Sequence, residues 1–222
     1  VSLPSRVRTI KMERAVPHPL VEQLRFARAE FQRGLEGVTP VEAQERFLPM
    51  NCISWNVGHM AWQEQRYWLI YEQGIELYPD IDQSFRWSAP ASTPVLDDVQ
   101  AAWQAITAAA DPWLDTLTTE SLQLPYSRDG VKQPYSIGSR LLRMLYHYWY
   151  HTGENAAIRQ MLGHTDLPEF VGDIFDLAHS HPAHLRMMTW ARLEGMEFDA
   201  PPGATHDAPA QAVAAIEAAQ AS

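Results

Sequence analysis

The sequence holds a single cysteine, Cys52. No disulfide can form within the chain, and nothing points to an oxidising compartment. Basic residues are in short supply: 17 Lys and Arg stand against 27 Asp and Glu, a formal net charge of -10. That sign is repelled by a nucleic-acid backbone and by an anionic membrane surface, so neither partner is expected. No apolar run approaches the roughly 18 residues of a membrane span. The first residues, VSLPSRVRTIKMERAV, are basic but lack the apolar core of a signal peptide. The expected location is the cytoplasm. Strand signals are almost absent. No GxGxxG, P-loop, GxSxG or HExxH pattern occurs, which removes sequence support for nucleotide binding, α/β-hydrolase and thermolysin-type chemistry.

What is present is helical pattern and aromatic bulk. Hydrophobic residues make up 46% of the 222, enough for a core, and eight tryptophans point to a large aromatic interior or a sticky interface. The spacing of Leu20, Leu24, Ala27 and Phe31 predicts a first long helix over Pro19 to Arg33, stopped at Gly34. A short helix is expected at TPVEAQERF, where Thr39, Pro40 and Glu42 form a capping box. A second long helix is expected from about Ser54 to Gln73, ended by Gly74. A third runs from about Pro94 to Leu117, with Pro112 as a kink or break. PYSRDGVKQPYS reads as a polar loop. A fourth long helix runs from about Ile137 to Leu162, ended by Gly163.

The fold class is therefore all-α, a four-helix bundle with short extra helices towards the C-terminus. Its organisation reads as an arm at 1–18, the bundle at 19–164, additional helices at 165–196 and a Pro/Ala-rich tail at 197–222.

Helical phase brings the histidines into view. At about 100° per residue, His147 and His151 share a face with Met144, Ile158 and Leu162, an apolar stripe. On the second long helix, His59 shares a face with Trp55, Asn56, Trp62, Gln63, Arg66 and Ile70. Ser54, Ala61, Glu64, Gln65 and Glu72 fall opposite, on what reads as the wet side. Three histidines from two helices thus aim at one interior. Three imidazole nitrogens with a fourth position open make a catalytic type of metal site; packed polar rings in a crowded core are the alternative. An aromatic belt of Tyr146, Tyr148, Trp149, Tyr150, Trp55 and Trp62 would limit water access.

Supporting roles follow from the same wheel. Arg66 is placed to hold a carboxylate or to pair with an acid such as Glu154. Glu154 is placed as a partner of an imidazole, a fourth ligand or a surface acid. Tyr148 can donate a proton or pack, and Asn155 and Gln63 can orient water. Trp149, Leu142, Tyr146 and Ala156 lie opposite the histidine face and need a cover, from the tail or from a second subunit; a homodimer is expected. His179, His181 and His184 in HSHPAH form a rival metal tract, or simply a helix start. Cys52 reads as filler or as a redox residue.

Two stretches carry a family resemblance. SWNVGHMAWQEQRYW, with His59, and LLRMLYHYWYHTGENAAIRQMLGH, with His147 and His151, resemble the DinB/YfiT-like superfamily in content and in order. The resemblance covers about Pro19 to His164. It implies a four-helix bundle, often dimeric, whose three histidines hold a divalent metal, usually zinc or nickel, with iron or manganese as further options. Carried over, His59, His147 and His151 are the ligands. Several members of that family are S-transferases or isomerases dependent on a low-molecular-weight thiol such as bacillithiol, mycothiol or glutathione. The resemblance thus implies thiol-dependent, S-transferase-type chemistry on a small molecule, in a stress-related role. A metal-dependent hydrolase and a non-catalytic metal- or ligand-binding bundle are the alternatives. The related module of iron-dependent sulfoxide synthases needs a second domain for which this chain is too short.

Overall fold

A computed structural model describes residues 17–128 and 130–169. The chain divides into two units, Val1–Gly163 and His164–Ser222; the architecture below is that of the first. The extra helices and tail expected after His164, and His179, His181 and His184, lie outside the described residues.

The first unit is an all-α bundle built on four long helices, α1 (Pro19–Arg33), α3 (Ile53–Glu64), α6 (Leu96–Leu114) and α8 (Ile137–Met161). α2 (Pro40–Gln44) opens on the expected capping box. The Thr39 hydroxyl accepts from the Glu42 backbone, and the Glu42 carboxylate accepts from the Thr39 backbone. α6 ends at Leu114, just past Pro112. Among the described residues no helix is long and apolar enough to cross a membrane.

The second long helix covers its expected span, but not as one α-helix. After Glu64 the chain runs through a π-helical stretch, Gln65–Ile70, and returns to a short α4 (Tyr71–Gln73). Gly74 then ends it with a left-handed φ of 68°. The widened turn breaks the regular phase beyond Glu64, and such insertions recur at functional sites.

The wet side expected on this helix does not exist. Ser54, Ala61 and Glu64 are 0% exposed, and Gln65 is 1%. The reason is position: α3 packs on α6, α8, α2 and α5 (Ile81–Phe85), so no side is left for solvent. Its polar groups are satisfied internally. Arg28 on α1 forks onto the Glu64 carboxylate at 2.8 and 2.6 Å, and also reaches Asp111 on α6 at 2.8 Å. The Tyr148 hydroxyl on α8 donates to Glu64 at 2.6 Å and accepts from Trp103 Nε1 on α6 at 2.7 Å. One buried polar knot therefore ties all four long helices. Glu72, also expected to be wet, is half-buried and paired with Arg140 at 2.5 Å. Gln65 clamps the returning loop. Its carbonyl accepts from Leu77 and Tyr78 backbone N–H groups, and its amide donates to the Tyr78 carbonyl.

PYSRDGVKQPYS is not a loop. It forms a two-stranded antiparallel hairpin, β1 (Pro125–Arg128) and β2 (Val131–Ser136), with Arg128 paired to Val131 across the turn. Gly130 there has φ 75°, the conformation that Asp-Gly hairpin turns demand. α7 (Thr119–Gln123) precedes it. The outer face of α8 is covered in part from within the chain: α1 packs along it, with the Phe26 and Trp149 rings 5.9 Å apart.

Candidate metal centre

His59 stands in the middle of α3, and His147 and His151 stand one turn apart on α8. Their ligand atoms all lie within 4.8 Å of one another. The His147 and His151 Nε2 atoms are 3.0 Å apart, and the ring centroids of His59 lie 5.0 and 5.3 Å from those of His147 and His151. The expected convergence of the three rings is what the fold builds.

Two of the three rings are anchored from behind. His59 Nδ1–H donates to the Phe85 carbonyl at 2.6 Å, and His151 Nδ1–H donates to the Glu154 carboxylate at 2.7 Å. Those bonds fix the tautomer and turn both Nε2 lone pairs towards the cluster. Glu154 thus takes the position of an imidazole partner, and it is not among the clustered ligand atoms.

α5 supplies the His59 anchor and is itself held close to α3. Its Asp82 accepts from Trp62 Nε1 at 2.7 Å, and Phe85 closes on Gly58, where an added Cβ would lie 2.5 Å from the Phe85 ring. Only glycine at 58 lets the C-terminal end of α5 come this near to α3. The indole of Trp55 stacks on His59 at 5.0 Å and 12°, and the Trp62 ring lies 5.1 Å away, tilted by 31°.

Burial sets the charge state. It pushes His59 down to about 4, against a smaller upward pull from its bond to Phe85. It pushes His147 down to about 3, helped by the like charges of His151 and His59. Both rings are neutral at pH 7, the form that a metal accepts. Four-coordinate zinc with nitrogens at 2.0–2.1 Å puts neighbouring nitrogens about 3.4 Å apart. The observed 3.0 Å pair and the 4.8 Å limit bracket that spacing, so small ring rotations close the set. The donor set fits a divalent ion, and His147, half-buried, leaves the cluster reachable from outside.

The other residues singled out in the sequence fall in different places. Tyr148 is fully buried and bonded to Glu64 and Trp103, so it belongs to the polar knot, and burial beside Glu64 raises its hydroxyl well above the ordinary range. Arg66 does not pair with Glu154. Its guanidinium lies over the Trp62 ring at 5.1 Å and donates to the Tyr71 hydroxyl, while the Glu154 carboxylate is taken by His151. Asn155 accepts from Asn56 at 2.9 Å, one turn from the histidines. Gln63, one turn beyond His59, is buried, and among the described residues nothing accepts from its Nε2.

The aromatic belt is thinner than expected. Trp55 and Trp62 are buried beside His59, but Tyr146 and Tyr150 are 62% and 69% exposed. The Tyr150 ring still meets that of His151 edge-on at 5.1 Å, but most of it faces out. Cys52 is buried, its sulfur 3.3 Å from the Ser54 hydroxyl. Phe85, Asp82 and Gly58 were not legible as site residues. The one available signal was an isolated glycine inside an otherwise strong helix, which marks a close approach.

The family model described as DinB superfamily matches residues 23–154, a span that holds all three histidines. A second model, described as tetracyclin repressor-like, C-terminal domain, matches residues 166–222. That span runs across the segments 165–196 and 197–222 read from the sequence. No curated protein matches the chain.

Proposed function

The chain belongs to the DinB superfamily, and on that premise we propose that it is a metal-dependent enzyme whose divalent ion is held by His59, His147 and His151. The observation that carries this reading is the pair of Nδ1 anchors. Both Nδ1–H groups find acceptors behind the rings, which leaves the two Nε2 lone pairs facing the third ring, as in a metal site. Zinc or nickel suits the all-nitrogen donor set; iron and manganese favour mixed sets with carboxylates.

The proposed chemistry is thiol-dependent group transfer. The ion would supply a thiol held as its thiolate at neutral pH. The chain's own residues do the rest. Phe85 and Glu154 keep His59 and His151 oriented. Trp55 and Trp62 keep water from one side of His59, and half-buried His147 marks the side from which a small molecule enters. The transferred sulfur forms its bond to an electrophilic carbon, the leaving group departs with the electron pair, and the thiol proton goes to solvent. Glu154 as a fourth protein ligand would close the site and make it structural; its bond to His151 Nδ1 argues against that. A second copy of the chain is the proposed partner, supported by the exposed Tyr146 and Tyr150 on α8.

The test is a turnover screen. Zinc- or nickel-loaded protein is incubated with 1-chloro-2,4-dinitrobenzene and, in turn, cysteine, glutathione, bacillithiol and mycothiol. Release of chloride and formation of the thioether above the uncatalysed rate, lost in His147→Ala, is the expected result. Loaded protein that accelerates none of the four thiols contradicts the transfer chemistry.

A further inference from the structure

Beside the histidine cluster the fold gathers positive charge that its own acids match only in part. α3 and α8 run antiparallel along one seam: Asn56 meets Asn155, His59 meets His147 and His151, and the Tyr67 carbonyl meets Arg140. Along that seam, one to two turns from the histidines, stand Arg66, Arg140 and Arg143.

Arg140 is spoken for. It pairs with Glu72 and lies among the rings of Tyr67, Tyr71 and Tyr126. Arg66 and Arg143 are different. Arg66 donates its Nε to the Tyr71 hydroxyl at 2.5 Å, and Arg143 donates its Nε to the Tyr67 hydroxyl at 3.2 Å. The Tyr67 and Tyr71 rings stack at 6.4 Å and 29°. Among the described residues neither guanidinium has an acid partner, in a chain of net charge -10.

The tyrosines hold both guanidinium groups by Nε, which leaves the terminal nitrogens, the fork that grips an oxyanion, available. Each arginine stands near a different histidine. Arg66 lies over Trp62, which lies beside His59, and Arg143 is one turn before His147 on α8. About one turn before Arg66, Gln63 carries a buried amide N–H with nothing to donate to among the described residues, the usual mark of a group that expects a partner.

We propose that Arg66 and Arg143, on their tyrosine platform, bind the anionic oxygen head group of the substrate, a carboxylate or a phosphate, and so select anionic small molecules for the metal centre. The proposal rests on the metal-centre reading for the placement of the substrate's other end. Arg140, packed on the Tyr67 and Tyr71 rings and paired with Glu72, supports the platform and does not touch the ligand.

The test is equilibrium binding to the full chain loaded with cobalt(II), in which the sulfur-to-cobalt absorption band reports thiol binding without turnover. Mercaptosuccinate should saturate that band at about a tenth of the concentration that thioglycerol needs, the scale of a charge-assisted contact. Arg66→Gln with Arg143→Gln should erase the difference and leave the thioglycerol curve in place, with the far-ultraviolet circular dichroism unchanged. Equal affinities in the parent, or a variant that weakens both thiols alike, overturn the proposal while the metal centre stands. Failure of cobalt to load sinks the metal-centre reading instead. The arginine site is then decided on the metal-free chain, by following the Nε–Hε resonances of Arg66 and Arg143 during titration with succinate and with inorganic phosphate. Shifts at both side chains sustain it, and the stronger titrant names the head group; no shift with either overturns it.

Discussion

Replacing Glu64 by leucine probes the joint on which the whole bundle turns. The Glu64 side chain is fully buried, and Arg28 is nearly so, at 6%. Removal of the acid strands a guanidinium in the core, and breaking such a pair costs about 3–5 kcal/mol. Asp111 still faces Arg28 at 2.8 Å from a side chain that is 39% exposed, so part of the charge stays matched. The expected loss for Glu64→Leu is therefore about 3 kcal/mol, or roughly 6–12 °C in Tm for a chain of this size. Urea unfolding at pH 7, followed by circular dichroism, measures it. The companion variant, Arg28→Met with Glu64→Leu, removes the stranded charge and should recover at least half of the loss, because well-packed apolar replacements of buried pairs are often neutral. A loss below about 1 kcal/mol in the single variant, or a double variant no better than the single, would refute the claim that this knot ties the four helices.

Three further expectations concern the site. Glu154→Gln weakens the anchor on His151 Nδ1 and should lower zinc affinity about 10–100-fold with little change in unfolding midpoint; competition against a chromogenic chelator reads this, and unchanged affinity would remove Glu154 from the account. Gly58→Ala drives a methyl to 2.5 Å from the Phe85 ring, so α5 must shift and carry the His59 anchor with it; the expected result is a loss of about 1–3 kcal/mol together with weaker metal binding, and a fully stable, fully loaded variant contradicts the packing argument. The third is pH. His59 is depressed from 6.5 to about 4, so the unfolded chain takes up its proton first as pH falls. Stability of the metal-free protein is full above 6.5 and declines towards pH 4, by about 3 kcal/mol from this ring alone, with His147 acting in the same direction. His59→Asn should flatten that decline, and a variant that follows the parent curve from pH 7 to 4 would contradict it.

The long helices were legible because their signals are local and redundant. α1 has apolar residues at every helical repeat, α2 has its capping box, and Gly74 and Gly163 mark ends. The histidine convergence was legible for the same reason: α8 is one uninterrupted helix, and His59 precedes the π-helical stretch, so regular phase holds at all three. Phase alone failed at Glu64 and Gln65, because amphipathicity assumes that a charged side is a wet one. A central helix surrounded on all sides hides its charges in pairs contributed by distant residues such as Arg28, and no local pattern announces those. Arg66 lies within the π-helical stretch, where the wheel no longer applies. The hairpin carries an Asp-Gly signal, but its strands are short and largely exposed and lack the apolar alternation that marks a strand. The Phe85 carbonyl was out of reach of any side-chain reading, since it is the backbone that anchors His59.

Metal content is the most direct test of the central claim. Protein purified without an affinity tag is analysed by plasma mass spectrometry beside His59→Ala and His147→Ala. The account predicts close to one equivalent of a divalent transition metal in the parent, as isolated or after loading with zinc, nickel or iron, and loss of it in both variants. No metal in the parent after loading, or metal retained by both variants, would contradict it.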